Sequence, residues 1–211
     1  MLTDDRECLD LLDGQDAPDQ GVRRLGWLLL LAGLVGLVAA FVLLLEKVRL
    51  LEDPSYVPSC SLNPVLSCGS VMTTDQAAVF GFPNPMLGLV GFTLVVATGA
   101  AVLAGAALRR WYWLGLQFGV GAGLAFVGWL AFQSLYRINA LCSYCMVVWA
   151  VTIPIAVYVT VHNVRTGVLP VRRVLVQVLS DYAPLLVVLL YLLVLGLAAE
   201  RFWDYWATLL P

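Results

Sequence analysis

Five stretches of this chain, Leu25–Leu45, Pro85–Leu108, Tyr112–Tyr136, Leu141–Val161 and Tyr182–Ala199, contain no Asp, Glu, Lys or Arg. Each is close to or above the length needed to cross hydrocarbon about 30 Å thick, which takes about 20 helical residues. Inside a bilayer no water is present to satisfy backbone N–H and C=O groups, so a spanning segment must pair them within itself. The sequence therefore predicts an all-α integral membrane protein. With 61% of 211 residues hydrophobic and 12% charged, little chain is left for a soluble domain. A net charge of −2 offers no basic surface for nucleic acid. Transporters and channels that move ions place charged residues within their spans, and these spans have none. Residues 1–20 are acidic and the first apolar run lacks a cleavage-like end, so that run is expected to be kept as a helix rather than removed as a signal peptide.

Basic residues orient the spans. If the five alternate, Arg6, Arg23, Arg24, Arg109, Arg110, Arg165, Arg172 and Arg173 fall on one side, and Lys47, Arg49, Arg137 and Arg201 on the other. The richer side marks the cytoplasm, so the amino terminus is expected inside. The 46–84 loop, the connection Arg137–Ala140 and the carboxyl terminus are then expected outside. Tyr182, Tyr191, Trp203 and Tyr205 suit the interfacial belts of the last span.

This topology gathers four of the five cysteines on one face. Cys60 and Cys68 lie in the outer loop, while Cys142-Ser143-Tyr144-Cys145 opens the fourth span. The outer compartment is where disulfides form and persist. Cys8, on the reducing side, is expected to be incidental. Asn139 is expected to cap the fourth span, putting Cys142 in the first turn facing water and the loop pair, and Cys145 one turn deeper toward the bilayer. A helix start stabilises a thiolate through its free N–H groups and positive end. A C-x-x-C in a membrane helix is also compatible with an inert disulfide or two buried thiols. The loop pair could likewise be a mere staple, and a four-cysteine zinc site would need shorter spacing than the seven residues between Cys60 and Cys68. The segment Ser67–Phe80 carries apolar residues at Val71, Met72, Ala78 and Val79, the pattern of an amphipathic half-helix lying on the membrane as a lid.

The order Cys60-x7-Cys68, an outer half-helix, then Cys142-x-x-Cys145 at the start of a later span resembles the vitamin K epoxide reductase family over roughly residues 25–162. The resemblance implies a four-helix transmembrane bundle around a quinone site, to which this chain adds a fifth transmembrane helix. It also implies a membrane thiol oxidoreductase that reduces a quinone while making disulfides, with Cys60, Cys68, Cys142 and Cys145 as the catalytic relay. Menaquinone is favoured over ubiquinone as acceptor. Asn84, in Phe82-Pro83-Asn84-Pro85-Met86-Leu87-Gly88, matches a family asparagine that hydrogen-bonds the quinone carbonyl. Trp149 stands where vertebrate members carry a tyrosine, which weighs against vitamin K epoxide as substrate. Many bacterial members carry a fused thioredoxin-like domain, whereas twelve residues follow the fifth span here. The implied partner is a separate DsbA-like thioredoxin-fold protein outside a bacterial plasma membrane. By exposure, Cys60 is expected to meet that partner and Cys68 to shuttle to Cys142.

The expected organisation is a cytoplasmic tail (1–24), a catalytic core (25–162, with the outer loop 46–84), and a connector, fifth helix and outer tail (163–211). Phe80, Phe82, Met86, Met146 and Trp149 are candidate walls of the quinone pocket, which should be apolar with few polar groups. Gly115, Gly119 and Gly123 form a ridge at four-residue intervals, read as helix-packing architecture. Pro154 is expected to kink the fourth span. His162 falls at that span's cytoplasmic end, away from the chemistry. The fifth helix either packs on the bundle or meets a partner. The competing function is a structural or assembly membrane protein stapled by two disulfides.

Overall fold

The computed structural model describes residues 20–61, 63 and 65–207; Cys8 lies outside them. Its helices are α1 (Gln20–Glu52), α2 (Cys68–Met72), α3 (Pro85–Leu103), α4 (Arg110–Gln133), α5 (Ser143–Arg165), α6 (Arg173–Asp181), α7 (Ala183–Arg201) and α8 (Trp203–Ala207). Five of them, α1, α3, α4, α5 and α7, are long and apolar enough to cross a membrane, and these are the five expected spans. α1 runs past its apolar core to Glu52 because residues 46–52 contain no helix breaker before Pro54. Pro85 opens α3 at a position where a missing N–H costs nothing.

The lid differs from the continuous half-helix expected over Ser67–Phe80. It is two short turns, α2 and a 3-10 turn Asp75–Ala78, separated at Thr73-Thr74. Ser67 caps α2 by accepting from the Ser70 N–H, and the Thr73 and Thr74 hydroxyls donate back to carbonyls of the preceding turn, which competes with helix continuation.

The tightest contact in the bundle is α1 on α3. A Cβ placed on Gly99 would stand 2.5 Å from the Leu30 backbone nitrogen, and one on Gly36 would stand 2.4 Å from the Phe92 ring. Without a hydrophobic drive between helices in lipid, such close approach supplies the van der Waals contact that holds them. α5 packs on α1 and α4 and fills the centre with Ile155, Ala156 and Val159. Between α4 and α5 the fully buried Asn163 donates to Trp113 O and Gln117 Oε1, while Gln117 donates to Thr160 Oγ1. His162 is half-buried and sits 4.2 Å from Trp113, ring centre to ring centre. α7 leans on α5, where the Tyr191 hydroxyl donates to Ala150 O at 2.5 Å, and leaves Leu185, Leu189, Leu192 and Leu193 facing outward. α3 and α4 scarcely touch, which opens the bundle between them.

Candidate active site

The carboxyl-terminal end of α1 anchors both arms of the cysteine loop. Glu46 is 4% exposed, and its carboxylate accepts hydrogen bonds from the Tyr56 hydroxyl (3.0 Å), the Ser59 hydroxyl (2.8 Å) and the Ser59 N–H (3.3 Å). A buried carboxylate needs such donors to offset its lost hydration. Ser59 immediately precedes Cys60, so Glu46 fixes one cysteine arm. Lys47 donates to Met72 O at 2.6 Å and so fixes the end of α2, whose first residue is Cys68.

The other wall is the connection into α5. α4 ends in a wide turn, Ser134–Ile138, followed by Asn139 in the left-handed region at φ 56°. Leu141 then pairs with the loop as a parallel bridge to Leu66: its N–H donates to Val65 O at 2.7 Å and its carbonyl accepts from Ser67 N–H at 2.9 Å. Asn139 is therefore the turn residue and not the helix cap. Cys142 itself holds the cap position, with extended backbone, and Cys145 is the third residue of α5.

That pairing brings Cys68 Sγ within 3.2 Å of Cys142 Sγ, and the sulfurs of Cys60, Cys68 and Cys142 all lie within 4.8 Å of one another. Cys60 and Cys68 are joined as a disulfide; Cys142 and Cys145 are thiols. With two of the three clustered sulfurs bonded to each other, the cluster in this state holds one thiol rather than a set of thiolate metal ligands. Cys142 does not face water. It is fully buried against Cys68, Met72 and Leu43, so its accessible reaction partner is the loop disulfide. One residue ahead of α5, its thiol is held below the ordinary range, first by a hydrogen bond from the Cys145 side chain; burial opposes this, and the N–H groups of Cys145 and Tyr144 add to it. Thiol–disulfide exchange requires a sulfur nucleophile next to a disulfide sulfur, and this geometry places the Cys142 thiol there.

Cys145 points the other way, onto a cavity of about 440 Å³ between α3 and α4. The wall is almost entirely apolar and extends from Lys47, Asn84 and Trp149 at the cysteine end to Trp111 and Tyr112 at the far end of α4. Asn84 lies at the rim of the lid: its Oδ1 accepts from Val79 N–H at 3.2 Å and its Nδ2 donates to Gln76 O at 2.6 Å. An amide nitrogen carries two N–H donors, so one is left for a ligand. Lys47 is the one charged residue among the described residues that line the cavity.

The structure divides the expected wall residues. Trp149 lines the cavity; Phe80, Phe82, Met86 and Met146 do not. Phe80 stacks on Phe82 at the exposed end of the lid and leans on Phe126, which does line the cavity. Met86 is largely exposed, and Met146 packs with Leu135, Leu141 and Phe202 behind Trp149. The Gly115, Gly119 and Gly123 ridge is corrected as well. A Cβ on any of them would meet nothing within 4 Å, because the three face the cavity instead of a neighbouring helix. Nothing in the sequence pattern marks Glu46 or Lys47, which stand at the end of an apolar run like any interfacial charges.

Among curated proteins, none matches the chain. The model of the Vitamin K epoxide reductase family matches residues 27–160, which run from within α1 to within α5 and include Cys60, Cys68, Cys142 and Cys145. The chain belongs to the vitamin K epoxide reductase family, and so to the membrane thiol oxidoreductases.

Proposed function

We propose that the protein oxidises a thioredoxin-fold partner outside the cell and passes the electrons to a quinone of the bacterial plasma membrane, with its amino terminus in the cytoplasm. The observation that carries this reading is the position of Cys142 and Cys145: one sulfur touches the loop disulfide and the other lines an apolar cavity open between two helices.

The steps balance as follows. A partner thiolate attacks Cys60, breaking the Cys60–Cys68 bond, and the partner's second thiolate releases Cys60 as the partner's own disulfide closes. Cys68 then attacks Cys142 of a Cys142–Cys145 disulfide, and Cys145 leaves as a thiolate. Cys60 attacks Cys68, closing the loop disulfide again and freeing Cys142. The sulfur arrangement described above, loop pair bonded and C-x-x-C reduced, corresponds to this stage. A quinone supplies the acceptor for two electrons and two protons. Cys145 hands the electron pair across the cavity wall and re-forms its bond to Cys142. Asn84 offers an N–H to a carbonyl oxygen, and Lys47 places a positive charge at the same end. The glycine-lined length of the cavity suits a prenyl tail, and menaquinone is the favoured acceptor.

The test is quinol formation by the purified protein with a small dithiol as reductant and menaquinone or ubiquinone analogues as acceptors. Turnover is expected for the unaltered chain and a loss of at least about 1,000-fold in Cys145→Ala, the scale of removing a group that carries the chemistry. Cys60→Ala should spare the small dithiol better than a protein partner. Cys145-independent quinol formation, or none with either quinone, would return the chain to a disulfide-stapled structural role.

A further inference from the structure

The family match ends at residue 160, yet the residues that brace the Cys142 connection come from beyond it. Where α4 unwinds at Ser134–Ile138, carbonyls lose their helical partners and must find others. Arg201, the last residue of α7, donates from Nε to Leu135 O at 3.1 Å and from Nη2 to Asn139 Oδ1. Phe202, 7% exposed, packs with Leu135, Leu141 and Trp149. Asn139 and Leu141 bracket Ala140, and Leu141 makes the backbone bonds that set Cys142 against Cys68. Asn139 occupies a left-handed conformation that costs a non-glycine residue free energy unless its surroundings hold it.

We propose that the fifth helix is part of the relay's framework: Arg201 is a positioning residue that, with Phe202, holds the 134–141 connection in the shape that presents Cys142 to Cys68. The inference rests on the relay described above. It assigns α7 a role that neither packing in lipid nor partner docking would require: the rigid arginine fork holds two acceptors of one connection at a fixed separation, which a lysine's single flexible ammonium does less well.

Effective concentration between sulfur pairs tests it in the full-length chain, without any quinone. With Cys8, Cys60 and Cys145 changed to Ser, only Cys68 and Cys142 remain; with Cys8, Cys142 and Cys145 changed to Ser, only Cys60 and Cys68 remain. Equilibration of each against reduced and oxidised glutathione reads how readily the pair closes, since one oxidised glutathione accepts the two electrons and yields two thiols. Arg201→Ala is expected to lower closure of Cys68–Cys142 about tenfold, the scale of a lost charged hydrogen bond, and to leave Cys60–Cys68 within about twofold. Arg201→Lys should lie between, at about threefold, and serves alone if Arg201→Ala does not fold. An unchanged Cys68–Cys142 pair, or an equal fall in both pairs, overturns the proposal. Poor closure of Cys68–Cys142 with Arg201 in place would overturn the relay itself, and this inference with it.

Discussion

The α1–α3 seam and the α3–α4 gap use the same residue to opposite ends. At the seam, Gly33, Gly36 and Gly99 are small because another helix occupies the space a side chain would take. Across the gap, Gly115, Gly119 and Gly123 are small, and no protein atom takes up the room. In lipid, helices gain little from burying apolar surface against each other, so a seam needs close backbone approach. A gap that stays open beside Cys145 needs a different reason, and the proposed quinone would supply it. The contrast teaches that glycine spacing identifies a helix face without saying whether a helix or a void stands opposite.

The seam is where substitution should cost most. Gly99→Ala places a methyl 2.5 Å from backbone nitrogen, which cannot rotate away. Overpacking of this kind costs roughly 1–3 kcal/mol, and more where the neighbour is backbone. Thermal unfolding in detergent should show a midpoint lowered by several degrees, and an unshifted midpoint would mean that the seam is looser than described.

Gly119→Phe sharpens the comparison from the other side. The cavity should accept the ring, so the unfolding midpoint should stay close to that of the unaltered chain. Turnover with a long-tailed quinone should fall about tenfold or more, equivalent to about 1.4 kcal/mol of lost binding. A tailless analogue should suffer less. Equal losses with both would place the tail elsewhere.

Asn84→Ala should act between these extremes. It removes both bonds that brace the lid, to Val79 and Gln76, together with the N–H offered to the cavity. A rise in quinone KM of up to about tenfold is expected, the range of one neutral hydrogen bond. Restoration by Asn84→Asp would favour the lid-bracing role, since a carboxylate keeps the acceptor for Val79 and loses the donor.

What the sequence made legible divides along the same line. The five spans could be read because hydrocarbon thickness sets a length and excludes charge, and the clustering of four cysteines followed from counting spans. The details of the connection could not. Asn139 suits a helix cap and a left-handed turn equally well, and its neighbours decide: the wide turn before it and the Leu141 bridge after it leave Cys142 as the cap. Phe80, Phe82, Met86 and Met146 lie close in sequence to Asn84 or Cys145, but none of them lines the cavity: the first two sit on the turn after the lid, and the last two on helix faces directed elsewhere. Glu46 and Lys47 are invisible for a related reason, since their partners Ser59 and Met72 are fixed only by the path of the loop.

The smallest expected effect concerns protonation at the closed end of the comparison, where Cys142 is fully buried. The Cys145 thiol is the foremost cause of the lowered Cys142 pKa, so removing it should raise that pKa. Because the thiolate is the attacking form, exchange with the loop disulfide gains rate as pH rises through the Cys142 pKa. In Cys145→Ala, trapping of the released Cys60 with a maleimide should therefore need a higher pH to reach half its maximal rate than in Cys145→Ser, whose hydroxyl can still donate to the Cys142 sulfur. Coincident profiles would show that the N–H groups at the start of α5, rather than Cys145, set the acidity of the relay's buried thiol.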